Sequence, residues 1–105
     1  MRRRVIVSGT VQGVFFRDSC RSAARDQGVA GWVRNLPGGE VEAVFEGDEA
    51  AVARMVRWMH TGPPAAEVRA VEVYEEPPGP SAGAASGSGA GSGGFEVRPT
   101  PPRGG

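Results

Sequence analysis

The 105-residue chain contains no lysine, a single cysteine and a single histidine. Without lysine it cannot form a Walker A phosphate loop or use any other lysine-dependent chemistry. One cysteine cannot form an internal disulfide, so a disulfide-stapled secreted scaffold is excluded. Because no histidine is spaced to pair with a second ligand, the sequence shows no zinc or two-metal pattern, and we expect no bound metal.

The chain also lacks an excess of charge of either sign and a long hydrophobic run. Twelve arginines balance twelve acidic residues, which disfavours a nucleic-acid or anionic-membrane partner. No apolar run approaches the roughly 20 residues of a membrane helix. The basic start, Arg2–Arg4, is followed by a strand-like segment instead of a signal-peptide core, and we expect it to fray. These absences favour a cytoplasmic protein, and nothing in the sequence suggests more than a monomer.

The hydrophobic pattern changes period along the chain and so predicts its elements. Short runs of β-branched residues predict strands, and apolar residues at helical spacing predict helices. Val41, Ala43 and Phe45 alternate with glutamates, which predicts a half-buried strand whose solvated face carries Glu40, Glu42 and Glu46. The predicted elements are a strand at 4–8, a helix at 16–27 ended by Gly28, strands at 29–34 and 41–46, a helix opened by residues 47–49 and stopped by 62–64, a strand at 68–74 and a short fifth strand at 95–98.

This order of elements predicts an α+β, ferredoxin-like split βαβ fold. It is βαββαβ plus a short fifth strand, with both helices on one face of an antiparallel sheet. We expect one domain over residues 1–105. The segment 77–94 is rich in Pro, Gly, Ser and Ala and has little to bury, so we expect a flexible loop there and a disordered tail at 99–105. Its Gly89-x-Gly91-x-x-Gly94 is no dinucleotide site, because no strand precedes it and no helix follows.

The junction between the first strand and the first helix has the features of an anion site. Gly9 and Gly13 permit a tightly curved backbone whose N–H groups can form a concave nest. The free N–H groups and the positive end of the following helix favour an anion as well. Arg17 at the helix start opposes the helix dipole unless an anion lies between them. The alternative is an ordinary glycine-containing loop with a solvated arginine.

Asn35, at the end of the second strand, is a second candidate. A neutral amide is a poor base, but it can orient a water by accepting one hydrogen bond and donating another. Its alternative role is to start the turn before Leu36-Pro37. The order of elements alone does not place this strand end beside the junction from Gly9 to Arg17, which we call the glycine loop.

Two motifs in this chain resemble those of the acylphosphatase family. They are Gly9-x-Val11-Gln12-Gly13-Val14-x-Phe16-Arg17 and Gly31-Trp32-Val33-x-Asn35, followed by Gly39-x-Val41-Glu42. The similarity continues through Phe45-Glu46-Gly47, Gly62-Pro63-Pro64 and Phe95-Glu96-Val97-Arg98, so it covers nearly the whole chain.

The resemblance implies a hydrolase that needs neither metal nor cofactor. Its small-molecule substrate would be an acyl phosphate, whose carboxyl–phosphate anhydride is cleaved to a carboxylate and inorganic phosphate. By position, Arg17 would bind the phosphoryl group and Asn35 would position the attacking water. The backbone of the loop would cradle the phosphate, through Val11, Gln12, Gly13, Val14, Phe15 and Phe16.

An alternative from another class is a non-catalytic ferredoxin-like module that binds phosphorylated metabolites or RNA. RNA recognition on such a sheet uses exposed aromatic residues on the central strands. Gly13-Val14-Phe15-Phe16 matches that pattern only in part, and the balanced charge disfavours it. We expect Cys20 to be a buried, inert thiol and His60 to lie on the surface.

Overall fold

A computed structural model gives the fold and describes residues 1–77 and 94–102. The elements follow the predicted order, with ends that differ by at most a few residues. They are β1 (Arg2–Thr10), α1 (Phe16–Gln27), β2 (Ala30–Asn35), β3 (Val41–Glu46), α2 (Glu49–Met59), β4 (Glu67–Glu76) and β5 (Phe95–Val97). Gly28 ends α1 in the left-handed conformation, as the sequence predicts.

The five strands form one sheet in the order β4-β1-β3-β2-β5, with both helices packed on one face. β3 lies between β1 and β2 and is antiparallel to both, and β4 is antiparallel to β1. The prediction of an antiparallel sheet holds for these four strands. β5, however, is parallel to β2, because the chain reverses once more after β4, and the complete sheet is therefore mixed.

The hydrophobic core fills the space between the helices and the covered face of the sheet. Val52, Met55 and Met59 of α2 are buried as predicted, while Val56 is only partly buried. Two aromatic pairs contribute to the core: Phe45 stacks on Phe95 with 5.5 Å between centroids, and Phe16 meets Trp58 edge-on at 5.3 Å. The first residue of α1 is thereby fixed against α2.

The opposite face of the sheet carries ion pairs, and here two predictions are wrong. Glu42 is only 6% exposed and forms ion pairs with Arg4 at 3.2 Å and Arg34 at 2.8 Å. Because β3 is the central strand, side chains from both neighbouring strands cover its polar residues, and Glu42 does not lie on a solvated face. Arg2–Arg4 do not fray either: they belong to β1, where Arg2 pairs with Glu46 and Glu76.

Part of the predicted loop at 77–94 and of the tail at 99–105 lies outside the described residues, as do Gly89 and Gly91. Within residues 1–77 and 94–102, no helix has the length and apolar character needed to cross a membrane.

Candidate active site

The sheet order brings the C-terminal ends of β1 and β2 to the same end of the sheet. Val41, the first residue of β3, pairs with Val7 of β1 on one side and with Asn35 of β2 on the other. β1 and β2 are therefore mutually parallel, and the chain leaves both strands at this end of the sheet. The residues that the sequence analysis could not place together, the glycine loop and Asn35, are neighbours for this reason.

A pocket of about 270 Å³ lies where the loop, the start of α1 and the end of β2 meet. The described residues that line it are Val11, Gly13, Phe15, Phe16, Arg17, Asp18 and Asn35. It thus contains both predicted side chains, Arg17 and Asn35, and four of the six predicted cradle residues. Gln12 and Val14 are not among the lining residues, and their side chains point away from the pocket: that of Gln12 contacts the β2–β3 turn, and that of Val14 packs against the core.

The glycines shape the loop by two different means. The register of β1 on β4 shifts between Ser8 and Gly9, and Gly9 has φ of 126°. A Cβ at Gly9 would lie 2.2 Å from the carbonyl oxygen of Glu67, so no side chain fits there. Gly13 has open space around it but φ of 77°, which favours glycine for conformational reasons.

The N-terminus of α1 is left open to a ligand. Its N-cap residue, Phe15, makes no side-chain hydrogen bond to the helix, whereas Asp48 caps α2 by accepting from the N–H of Ala50 at 3.2 Å. The first N–H groups of α1 therefore have no side-chain cap. An anion in the pocket would meet these donors and the positive end of the helix dipole.

Arg17 and Asn35 are both half-buried and line this pocket without a partner. Neither side chain forms a hydrogen bond or ion pair with another residue in the described part of the chain. By contrast, Arg2, Arg4 and Arg34 are each paired with a carboxylate. The arginine at the positive helix end is thus the one whose charge is left for a ligand at this site.

Gln12 is a residue whose side-chain role the sequence analysis missed. Its amide Nε2 donates to the carbonyl oxygens of Leu36 and Glu40, each at 2.9 Å. The turn is closed further by the N–H of Leu36, which donates to Glu40 at 2.8 Å. Since Leu36 directly follows Asn35, the two hydrogen bonds of the Gln12 amide join the glycine loop to the backbone beside Asn35. The only feature of the sequence that points to this role is the presence of an amide side chain between the glycines of the motif.

Asp18 brings a carboxylate to the pocket that the sequence analysis also did not consider. Its side chain is 66% exposed and pairs with Arg21 at 3.4 Å. An acidic residue in the first turn suits the helix dipole, and Arg21 offsets part of its repulsion of an anion.

The remaining predicted residues lie where expected. Cys20 is fully buried, and burial raises the pKa of its thiol. His60 is exposed at the C-terminal end of α2. No cluster of three or more His, Cys, Asp or Glu residues in the described ranges could hold a metal ion. The absence of a metal requirement stays a prediction.

The fold and this pocket define a ferredoxin-like domain with an anion site at a strand–helix junction. Comparison with known proteins identifies its family: the acylphosphatase family model matches residues 3–83. The acylphosphatase of Rubrobacter xylanophilus is 62% identical over 97 residues, which are 92% of this chain and 79% of that protein. The acylphosphatase of Haloquadratum walsbyi is 62% identical over 79 residues, 74% of this chain and 85% of that protein.

The structure of an acylphosphatase from Coxiella burnetii superimposes with a TM-score of 0.78 at 36% identity, covering 92% of this chain and 90% of that one. The chain belongs to the acylphosphatase family. The family resemblance and the ferredoxin-like fold inferred from the sequence are therefore confirmed.

Proposed function

We propose that this chain hydrolyses acyl phosphates to a carboxylate and inorganic phosphate, with the reaction taking place in the pocket between α1 and β2. Family membership supports the reaction class. The observation that supports the site is the unpaired Arg17 beside an uncapped helix N-terminus, in one pocket with Asn35.

The proposed mechanism assigns each part of the pocket one task. The backbone N–H groups of 11–16 and the Arg17 guanidinium bind the phosphoryl oxygens, and the guanidinium can contact two of them at once. Asn35 orients a water for in-line attack on phosphorus. The carboxylate is a good leaving group and needs no strong acid to protonate it. Catalysis then consists of positioning and of stabilising charge in a loose transition state.

The test of the reaction is phosphate release from acetyl phosphate in excess chelator. We expect turnover that the chelator does not reduce, because no step assigned above uses a metal ion. Spontaneous hydrolysis without protein gives the background rate. If phosphate release stays at the background rate both with the chelator and with added divalent cations, the proposed function is wrong.

No observation favours the alternative of a non-catalytic module that binds metabolites or RNA. A cytoplasmic location and a monomeric state remain predictions from the sequence.

A further inference from the structure

Phe15 has an unusual backbone and an unusual exposure. Its φ of 62° and ψ of 27° place it in the left-handed region, and no other described non-glycine residue has a positive φ. Its side chain is 78% exposed, the highest value among the exposed large hydrophobic residues of the described chain. Both features oppose stability, since the left-handed conformation crowds Cβ against the backbone and an exposed phenyl ring gains nothing from burial.

The backbone conformation at this position does not call for a large apolar side chain. Glycine, which takes this conformation without strain, stands two residues earlier at Gly13. The neighbouring Phe16 already supplies the aromatic anchor to the core, where it is 2% exposed and packs on Trp58. A phenylalanine that is strained, largely exposed and not packed against the core is a reason to look for a function.

The position of Phe15 indicates that function. Three hydrophobic residues line the pocket, but Val11 and Phe16 are buried at 1% and 2% exposure and belong to the core. Phe15 is therefore the lining residue that offers an apolar surface to a ligand. The polar contributions, from Arg17, Asn35 and the backbone, serve the phosphate end of a substrate.

In-line displacement sets where the rest of the substrate goes. The water and the leaving carboxylate lie on opposite sides of phosphorus. With the phosphoryl group inside the loop, the acyl group cannot occupy the same buried space and extends toward the mouth of the pocket. An exposed aromatic ring at the pocket wall is suited to pack against an apolar acyl group there.

We propose that the Phe15 side chain is the acyl-group platform of this site and gives the chain a preference for acyl phosphates with aromatic or bulky apolar acyl groups. This inference rests on the proposed function. It assigns the side chain a specificity role that is separate from the phosphate contacts of the backbone.

The test compares kcat/KM for benzoyl phosphate with kcat/KM for acetyl phosphate. We expect Phe15→Ala to lower the benzoyl-to-acetyl ratio about five- to tenfold, the size of one aromatic contact, and Phe15→Trp to keep the ratio near the parental value. Alanine and tryptophan bear the same left-handed strain as phenylalanine, so the ratio isolates the side chain. Tyr74→Ala is the matched control, since Tyr74 is another exposed aromatic residue, on β4 and outside the pocket lining.

Each outcome decides the inference. A ratio in Phe15→Ala within twofold of the parental ratio refutes the acyl-binding role of Phe15 and leaves the proposed function intact. An equal fall of the ratio in Tyr74→Ala also overturns it, because the effect would then not be local. If the parental chain hydrolyses neither substrate, the proposed function fails and the platform fails with it.

Discussion

At the scale of single residues, Arg17 is the position where the charge of a side chain conflicts with the helix dipole beside it. A cation at the N-terminus of α1 is unfavourable by itself, and no described carboxylate pairs with it. A bound phosphoryl dianion resolves the conflict by lying between the guanidinium and the helix.

Replacement of Arg17 with alanine should therefore abolish nearly all turnover. Arginines that act on transferring phosphoryl groups contribute about 10³–10⁵ in rate, and we expect a fall of at least about 10³ together with weaker inhibition by inorganic phosphate. Arg17→Lys should fail as well, because an ammonium lacks the two-point geometry. Steady-state kinetics with acetyl phosphate measure both. Arg57→Ala, at an exposed arginine of α2 outside the pocket, is the control, and near-parental turnover in Arg17→Ala would refute the assignment.

Asn35 should show a different kinetic signature, because its proposed contact is with water and not with phosphate. We expect Asn35→Ala to lower kcat by about 10²–10³ and to leave the inhibition constant of inorganic phosphate nearly unchanged. The same assay with added phosphate gives both values, and circular dichroism checks the fold. Loss of the folded state in this variant would assign Asn35 a structural role as the start of the turn.

At the scale of elements, the site depends on how the glycine loop is held to the β2–β3 turn. The Gln12 amide is the link, through its bonds to Leu36 and Glu40. Both carbonyl oxygens keep another donor within the turn, Gly39 N–H for Leu36 and Leu36 N–H for Glu40. Removing the amide therefore loosens the connection without leaving either carbonyl unsatisfied.

We expect Gln12→Ala to fold and to lose about tenfold in kcat, because Asn35 is then less well positioned. Gln12→Glu should be worse, since its carboxylate would face two carbonyl oxygens and repel them. The measurements are kcat and the phosphate inhibition constant of each variant. An unchanged kcat in both variants would show that the Gln12 hydrogen bonds do not position Asn35.

The elements also show how far the sequence determined the structure. Local patterns sufficed for the helices, where Phe16, Cys20 and Ala24 repeat at helical spacing and Gly28 supplies the stop. They failed for Glu42, because alternation on a strand identifies a second face but not whether neighbouring strands cover that face. The adjacency of Asn35 and the glycine loop likewise follows from sheet order, a non-local property. The resemblance to a family identified the site where spacing alone left alternatives open.

At the scale of the whole molecule, the core contains one ionisable thiol whose state affects stability. Cys20 is fully buried, with its sulfur 3.9 Å from that of Met59. Burial raises the pKa of the folded thiol above its ordinary value of 9.0. In the unfolded chain the thiol ionises as the pH passes about 9, whereas in the folded chain it stays protonated. The folded state then binds more protons than the unfolded state, so the free energy of unfolding falls as the pH rises.

We expect this loss to approach about 1.4 kcal/mol per pH unit above pH 9. Urea unfolding at pH 8 to 10, for the parental chain and for Cys20→Val, measures it. The variant should lack this part of the slope, and a thiol reagent should label the parental chain only on unfolding. Rapid labelling of the folded chain, or identical slopes for the two proteins, would contradict a buried protonated thiol.

The measurement that tests the central claim most directly is a titration with inorganic phosphate followed by amide chemical shifts. The account predicts saturable shifts at the backbone N–H groups of residues 11–16 and at the Arg17 side-chain Nε–H, all with one dissociation constant, and their loss in Arg17→Ala. Shifts confined to other parts of the chain, or unaffected by Arg17→Ala, would show that the loop and this guanidinium do not bind the phosphoryl group.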